Sequence, residues 1–298
     1  MPANLCLTIA MIIWGSSYIA LKQAILFYPP EWVMFLRMST TLVCCLLLWR
    51  WVRRFTYQAG DWKLLLLMSA AEPCLYFWFE GQAMQYTSAA QAGVLVSCLP
   101  IFVALLAWIF LKERCSTTLA FGFTLCIGGS ILLSLVSETS DHAPNPLLGN
   151  TLEIIALFFA AVYTLCVKKL CTRYSPLTLI ALQGLSGSLF FAPQAAFTPF
   201  PTEHNTAGLL SIFYLGAFVT LGAYGLYNYS ISKLSVLKVA AFSNLTPVFA
   251  LLLAVLLLGE TITLLQGMAI GLIFLGVYIS QQHKANKVSQ LATEPPTA

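Results

Sequence analysis

Ten stretches of mostly apolar residues fill nearly the whole chain, and they restrict what it can fold into. Hydrophobic residues make up 59% and charged residues 9% of the 298 positions, whereas an average soluble domain carries roughly 25% charged residues. So few charges cannot cover a water-facing surface. Roughly 20 apolar residues cross a bilayer, and they do so as a helix because lipid offers unpaired backbone groups no partner. The predicted spans, numbered 1 to 10 in chain order, are 4–25, 31–51, 62–84, 88–111, 117–137, 149–169, 176–196, 207–230, 235–258 and 262–281.

One motif occurs twice, at a separation of about half the chain. Pro100 is followed by Glu113 near the end of span 4, and Pro247 is followed at the same spacing by Glu260 near the end of span 9. Two halves of five spans each indicate a duplicated unit, and an odd number of spans places the second unit in the membrane in the opposite sense. The sequence therefore predicts an all-α integral membrane protein with ten transmembrane helices, arranged as two inverted five-helix repeats around a central cavity.

The predicted organisation follows the breaks between the spans. Residues 1–137 form the first repeat, 138–148 a polar linker with two prolines, and 149–281 the second repeat. Residues 282–298 are polar and contain Pro295-Pro296, so a disordered tail is expected. Span 1 begins without a basic segment or a small-residue cleavage site, which predicts a retained span and not a signal peptide.

The positive residues predict the orientation of the chain. If the N-terminus is cytoplasmic, Lys22 alone falls on the outer side and Arg37 lies inside span 2. Cytoplasmic loops retain Lys and Arg, so this split predicts that both termini are cytoplasmic, in a bacterial inner membrane. The thirteen residues on the inner side are Arg50, Arg53, Arg54, Lys63, Lys112, Arg114, Lys168, Lys169, Arg173, Lys233, Lys238, Lys284 and Lys287.

Several function classes lack their sequence signals. The net charge of +4 is accounted for by these loops, so no nucleic-acid partner is expected. The nine cysteines form no CxxC pair and lie mostly in apolar runs, and the three histidines fall in loops or the tail, so neither a metal site nor a disulfide framework is predicted. No GxxxxGK[ST] or HExxH motif is present. The chain is predicted to be neither an enzyme nor a cofactor-binding protein.

Three stretches resemble the EamA-like branch of the drug/metabolite transporter superfamily. They are Ile12 to Tyr18 in span 1, Pro29-Pro30 with Phe35-Leu36-Arg37 in span 2, and the repeated proline-to-glutamate pattern of spans 4 and 9. The resemblance covers nearly all of residues 4–281. It implies a ten-helix fold whose cavity is lined mainly by spans 1, 3, 4, 6, 8 and 9, and the carriage of small metabolites, often outward.

Ionisable residues inside the spans are candidates for coupling or gating, because they are costly there. Glu72, Tyr76 and Glu80 are spaced to share one face of span 3. Arg37 and Glu80 each lie about six residues from the outer end of their span, roughly 9 Å deep. They could form a structural ion pair or act in gating or substrate binding. Glu72 could carry a proton or be packed in its neutral form.

The two mid-span prolines, Pro100 and Pro247, each remove a backbone donor and free a carbonyl. Bent helices with free carbonyls line the cavities of many carriers, so both prolines are candidates for coupling or gating; the alternative is a static kink. Aromatic side chains with polar tips suit a pocket for amphipathic molecules, although helix packing and an interfacial belt are the alternatives for each. The candidate substrate-binding residues are Trp14, Ser17, Tyr76, Glu80, Tyr163, Tyr224, Asn228 and Asn244.

Two further motifs have mainly structural interpretations. Glu113 and Glu260 end their spans and are expected to cap or pair at a helix junction. Gly267 and Gly271 form a GxxxG motif in span 10, with Gly128-Gly129 as a weaker counterpart in span 5. These glycines allow close helix contact, either within the fold or in a homodimer through spans 5 and 10.

The leading interpretation is a gradient-driven carrier of a small molecule in the lipid bilayer, exporting amino acids or related amphipathic compounds by alternating access. Proton antiport is favoured because Glu72 and Glu80 are taken to be the only deep acids. The alternative is a facilitative exchanger or importer of a nucleotide-like or cationic metabolite. More distant alternatives are a membrane-embedded enzyme and a non-transporting sensor.

Overall fold

The computed structural model describes residues 2–52, 57–111, 117–137, 140, 143–234, 239 and 242–293, and these residues are helical apart from short connections. Among these residues, six helices are long and apolar enough to cross a membrane, and three shorter apolar helices accompany them. A short helix, Trp49–Val52, follows span 2. In chain order the spans comprise Ala3–Phe27; Pro30–Leu47; Trp62–Ser69 with Ala70–Leu75 and Tyr76–Tyr86; Ala89–Leu95 with Val96–Cys98 and Leu99–Leu111; Thr117–Val136; Pro146–Leu170; Pro176–Phe197; Thr206–Tyr214 with Leu215–Ala223 and Tyr224–Lys233; Leu245–Leu258; and Leu264–Thr293.

Span 3 is bent in its middle, where the cavity described below is located. Glu72 leaves helical geometry, with φ −149° and ψ 118°, and the segment Ala70–Leu75 is π-helical. The residue before a proline is pushed towards extended backbone by contact with the proline ring, and Pro73 follows Glu72 directly. The backbone of Glu72 therefore departs from the regular helix that the predicted stripe of Glu72, Tyr76 and Glu80 assumed.

The same helix-end contact occurs in both halves. The Lys22 ammonium donates to the carbonyls of Met84 and Thr87 at 2.7 and 2.8 Å, where span 3 ends. The Lys168 ammonium donates to the carbonyls of Ile231 and Leu234 at 2.8 and 3.0 Å, where span 8 ends. A cation stabilises the negative end of a helix. The acceptors are equivalent positions of the repeat, so the internal duplication predicted from the sequence is present in three dimensions.

The predicted structural role of Glu260 is confirmed. Its two carboxylate oxygens accept from the backbone N–H groups of Ala89 and Ala90, both at 3.0 Å, at the first residues of span 4. These donors have no partner inside their own helix, and an anion is favoured at a helix N-terminus. Glu113, the counterpart of Glu260, lies outside the described residues.

Two boundaries differ from the prediction. Span 6 begins at Pro146, inside the predicted linker, because the Asn145 side chain accepts from the backbone N–H of Leu148 and caps the helix, with proline in its first turn. Span 10 continues to Thr293, inside the segment 282–298 for which disorder is expected. No proline or glycine occurs between 281 and 293, so nothing in that sequence stops the helix.

The halves approach each other closely where glycines of the first half meet span 9. A Cβ added to Gly93 would lie 2.3 Å from the Cβ of Ala250, and one added to Gly15 would lie 2.5 Å from the Cβ of Phe249. Contacts this close are available only to glycine, so spans 1 and 4 of the first half touch span 9 of the second half along their backbones.

Gly93→Ala is therefore expected to destabilise the protein by about 1–3 kcal/mol through overpacking, measured as a lower melting temperature in detergent. The double variant Gly93→Ala, Ala250→Gly moves the methyl group to the other helix and is expected to restore most of the loss. Gly267→Ala is the matched control, because no atom of the described residues lies within 4 Å of its added Cβ. Equal melting temperatures for all variants would contradict the close contact.

Spans 5 and 10 pack on each other within the chain. A Cβ on Gly129 would lie 2.7 Å from a side-chain carbon of Ile273, and one on Gly276 would lie 2.7 Å from the carbonyl oxygen of Gly122. Gly267 and Gly271 of the GxxxG motif have no described neighbour within 4 Å of an added Cβ. The predicted homodimer through spans 5 and 10 stays a prediction.

Candidate functional site

A cavity of about 50 Å³ lies where the two halves meet. Every span that the family resemblance implies for the lining contributes to it, and span 2 adds Arg37. The first half supplies Trp14, Ser17, Tyr18, Arg37, Glu72, Tyr76, Glu80, Val96 and Leu99, and the second half supplies Leu157, Ala160, Tyr163, Thr164, Val219, Tyr224, Tyr227 and Thr246.

An ion pair crosses the cavity wall between spans 2 and 3. The Arg37 guanidinium lies 3.3 Å from Oε2 of Glu80, and both side chains are at most 5% exposed. The Tyr76 hydroxyl donates to the other oxygen of Glu80 at 2.7 Å, while Arg37 Nε donates to Thr220 Oγ1 at 2.9 Å. The equal depth of Arg37 and Glu80 in their spans predicted that they could pair, and the structure confirms the pair.

Aromatic rings form another part of the wall. The indole ring of Trp14 packs at 4.9 Å from the ring of Tyr224 and at 4.8 Å from that of Tyr227, measured between centroids. The Tyr224 hydroxyl donates to a carboxylate oxygen of Glu72, which turns towards the cavity at the bend of span 3. The cavity therefore combines flat apolar surface with carboxylate, guanidinium and hydroxyl groups.

One polar group on the wall is left open. The indole N–H of Trp14 is buried and has no hydrogen-bond partner among the described residues. Burying an unpaired donor is unfavourable, so such a group in a cavity wall is suited to contact an acceptor on a bound molecule. By contrast, Ser17 donates to the carbonyl of its neighbour Trp14 at 2.7 Å and is satisfied locally.

Four of the predicted site residues do not line the cavity. Asn228 is fully buried behind it, where its Oδ1 accepts from the Tyr163 hydroxyl at 3.2 Å. Asn244 directly precedes Leu245–Leu258, its side chain makes no capping hydrogen bond, and it lies outside the cavity wall. Pro100 follows the turn Val96–Cys98, and Pro247 follows the turn at Asn244. Next to these turns, Val96, Leu99 and Thr246 line the cavity wall. Neither proline lines the cavity itself.

The expectation that Glu72 and Glu80 are the only deep acids is wrong. Glu153 in span 6 is 0% exposed, and its Oε1 accepts from the Tyr18 hydroxyl at 3.4 Å. The sequence placed Glu153 close to the start of span 6, whereas the helix begins earlier, at Pro146. The shared face of Trp14 and Tyr18 on span 1 could have drawn attention to Tyr18, but no local pattern indicates that Glu153 faces it.

A second, larger recess lies between spans 4, 5 and 6. This groove has a volume of about 330 Å³ and is mostly apolar. Ser134 and Asn150 are polar exceptions in its wall, and the Asn150 amide donates to Ser134 Oγ at 3.1 Å and to Gln91 Oε1 at 3.0 Å. Among the residues that the structure describes, no group of three or more His, Cys, Asp or Glu side chains could hold a metal ion.

An all-helical membrane fold with a polar cavity between two repeats is typical of membrane transporters. The model of the EamA-like transporter family matches residues 1–135 and 147–281 of this chain. The chain belongs to the EamA-like transporter family, and it is an integral membrane protein.

Several relatives of similar length have names that describe them as transporters or exporters. An "Uncharacterized transporter" of Archaeoglobus fulgidus is 26% identical over 94% of this chain and 98% of its own. The "Uncharacterized transporter YetK" of Bacillus subtilis is 27% identical over 100% of this chain and 92% of its own. A "Probable terminal-alkyne amino-acid exporter" of Streptantibioticus cattleyicolor is 23% identical over 85% and 84%.

A solved crystal structure has the same fold. It superposes with a TM-score of 0.67 and covers 98% of this chain and 99% of its own, at 17% sequence identity.

Proposed function

We propose that the protein is a gradient-driven exporter of amino acids or closely related amphipathic compounds. The observation that carries this proposal is the buried ion pair of Arg37 and Glu80 in the wall of an aromatic cavity. An α-amino acid bears an ammonium and a carboxylate on one carbon. A guanidinium and a carboxylate held side by side are complementary to these two charges, and the rings of Trp14 and Tyr224 suit an apolar side chain.

The name of one relative is compatible with this substrate class. The protein of Streptantibioticus cattleyicolor whose name describes a terminal-alkyne amino-acid exporter is similar over most of both chains. A primary amine and a carboxylate are common to all amino acids, whereas side chains vary. A site that fixes those two groups between Arg37 and Glu80 and leaves the aromatic wall for the side chain would accept several amphipathic members of the class.

The size of the cavity supports alternating access. Small-molecule sites usually measure roughly 300–1,000 Å³, and about 50 Å³ holds no amino acid. The halves also meet through polar contacts away from the cavity, where Arg173 lies 2.5 Å from Asp61 and the Tyr174 hydroxyl donates to the same carboxylate at 3.0 Å. Spans that separate at one end at a time would enlarge the cavity and expose it to each side in turn.

Flux through the purified protein tests this function. Proteoliposomes containing the full chain are loaded with unlabelled amino acids, one per sample, and the uptake of the same amino acid in labelled form is followed by counterflow. Counterflow of amphipathic amino acids above that of protein-free vesicles is expected. Counterflow of nucleotides or organic cations without any of amino acids would instead favour the alternative substrates, and no flux of any of these would contradict a carrier.

We place both termini on the cytoplasmic side of a bacterial inner membrane, on the strength of the thirteen Lys and Arg residues that this orientation retains inside. A membrane-impermeant maleimide is expected to label Cys171 only in inside-out vesicles. It is expected to label an Asp141→Cys, Cys171→Ser variant in intact cells. The reverse pattern would show the opposite orientation.

A further inference from the structure

We propose that the groove between spans 4, 5 and 6 binds one acyl chain of a membrane phospholipid. The inference goes beyond the proposed function and does not depend on the identity of the substrate. The groove is separate from the substrate cavity, since none of the described residues lines both. Its volume of about 330 Å³ falls in the range of roughly 300–1,000 Å³ that is usual for small-molecule sites.

The groove opens on the surface that faces the bilayer. Four apolar side chains of its wall are between 36% and 54% exposed, namely Ile127, Ile131, Leu147 and Ile155. Leu135 and Phe158 continue this apolar surface beyond the groove, with exposures of 68% and 38%. An extended exposed apolar surface on an integral membrane protein contacts lipid hydrocarbon. The molecules that can reach the open side of the groove are therefore membrane lipids and other apolar or amphipathic compounds.

Every polar side chain in the wall of the groove has a partner. The Asn150 amide makes the two contacts described above, and its Oδ1 accepts from the Thr87 hydroxyl at 2.6 Å. Three hydroxyls donate to carbonyls one turn earlier in their own helices at 2.7 or 2.8 Å, those of Ser130, Ser134 and Thr151. The thiols of Cys98 and Cys126 are also paired. Since these groups are satisfied within the protein, a hydrocarbon occupant leaves no polar group unpaired.

The groove has the length of a lipid chain in one leaflet. Along span 6 its wall extends from Leu147 to Ile155, which is about 12 Å at a rise of 1.5 Å per residue. Half of a hydrocarbon core of roughly 30 Å is roughly 15 Å. Leu147 lies at the start of its span, and Ile155 lies towards the middle of the membrane. The groove therefore follows the direction of an acyl chain from the membrane surface inwards, on the outer side in the orientation proposed above.

The deep end of the groove is closed by contacts between spans 4 and 6. The ring of Phe102 packs edge to face on the ring of Phe158, with 6.4 Å between the centroids. One turn further in, Val103 and Leu106 of span 4 pack with Ala161 of span 6. A molecule that entered from the bilayer would meet these contacts before it reached the cavity. The groove is therefore suited to hold a chain and not to lead a substrate inwards.

The bound chain packs between two spans that also form the substrate cavity. Leu99 of span 4 and Leu157 of span 6 line the cavity, whereas neighbouring residues of both spans line the groove. Side chains without neighbours on one side lose dispersion contacts, and an acyl chain supplies them. Of the residues that the structure describes, no charged side chain lines the groove. Binding is therefore determined by the acyl chain and not by the headgroup.

The first experiment uses a phospholipid with a photoreactive diazirine in its acyl chain as the probe. The full chain is reconstituted in vesicles of phosphatidylethanolamine and phosphatidylglycerol that contain a small fraction of this probe, irradiated, and analysed by mass spectrometry. More labelling is expected on residues of the groove than on Leu189 and Leu256, which are both 67% exposed and lie outside the groove. Labelling of the groove no stronger than that of these two leucines would overturn the proposal.

The second experiment fills the groove with a larger side chain. Ile131→Trp is expected to lose most of the labelling in the groove and to keep the labelling elsewhere. Leu135→Trp is the matched control, because it lies one turn further along the same span and outside the groove. Thr151→Trp repeats the test from span 6, where the hydroxyl bonds only within its own helix. Full labelling in both filled variants would overturn the proposal, and the wild-type labelling decides if neither variant folds.

The third experiment separates the chain from the headgroup. Phospholipid added to the purified protein in detergent is expected to raise the melting temperature, since a ligand of the folded state stabilises it. The rise is expected to be equal for ethanolamine, glycerol and choline headgroups, smaller for shorter acyl chains, and smaller in Ile131→Trp than in Leu135→Trp. A rise that depends on the headgroup and not on the chain would overturn the proposal.

Other occupants of the groove give distinct results. Labelling of the groove by a photoreactive amphipathic amino acid, but not by the phospholipid, would assign it to substrate entry. Cross-links between two copies of the chain across the groove would assign it to a homodimer contact. Either result overturns the proposal. None of these measurements records transport, so a failure of this inference leaves the proposed exporter in place, and absent counterflow of amino acids leaves the lipid site in place.

Discussion

Glu80→Gln is expected to lower the free energy of unfolding by about 3–5 kcal/mol, because removing one partner of a buried ion pair leaves the other charge uncompensated. Arg37 would keep its hydrogen bond to Thr220 and its contact with the ring of Phe77, whose centroid lies 3.9 Å from the guanidinium carbon. It would lose the carboxylate that balances its charge. Thermal melting in detergent measures the loss of stability, and counterflow in proteoliposomes measures the loss of transport.

The double variant Arg37→Met, Glu80→Gln separates the two effects. Replacing both charges by neutral groups of similar shape is expected to recover most of the stability. Transport is expected to remain absent, since neither the ammonium nor the carboxylate of a substrate finds its partner. Recovery of transport together with stability would show that the pair is only structural, and an unchanged single variant would contradict the buried pair itself.

Trp14→Phe is expected to weaken the apparent affinity for a transported amino acid by about tenfold or more. The substitution keeps an aromatic ring against Tyr224 and Tyr227 but removes the buried indole N–H that has no partner in the described structure. A hydrogen bond to a charged group contributes about 1.5–3 kcal/mol, so its loss is visible in the concentration dependence of counterflow. The melting temperature of the empty protein is expected to change little.

Trp14→Ala is expected to have a larger effect, because it also removes the ring that packs between the two tyrosines. Trp49→Phe serves as the matched control, since the side chain of Trp49 is 52% exposed and lies away from the cavity. Unchanged transport by Trp14→Ala at every substrate concentration would exclude Trp14 from the site.

Much of the fold could be predicted because a bilayer imposes a length on each apolar segment. The predicted and observed spans agree at most ends. The pairing of Arg37 with Glu80 could be anticipated for a related reason: neighbouring antiparallel spans are joined by a short loop, so residues at equal distance from that loop lie at equal depth.

The parts of the site that could not be predicted from the sequence depend on the rotation of each helix about its axis and on contacts between distant spans. Sequence periodicity shows that Trp14 and Tyr18 share a face, but not that this face meets Glu153 on span 6. Asn228 is a predicted pocket residue, yet its Oδ1 accepts from the Tyr163 hydroxyl behind the wall. The apolar groove has no sequence signal, because residues lining a recess and residues touching lipid are equally hydrophobic.

The pairing of Arg37 with Glu80 in an empty site also bears on the direction of net movement. If the vacant binding site held an unpaired charge, the change of conformation would move that charge through a low-dielectric interior, which is unfavourable. Such a carrier would have to exchange one solute for another. Here the vacant site neutralises itself, so an unloaded carrier of the proposed kind would not have to move an unpaired charge when it resets. A cell that makes more of a compound than it uses could then lower its internal pool, instead of swapping one molecule for another.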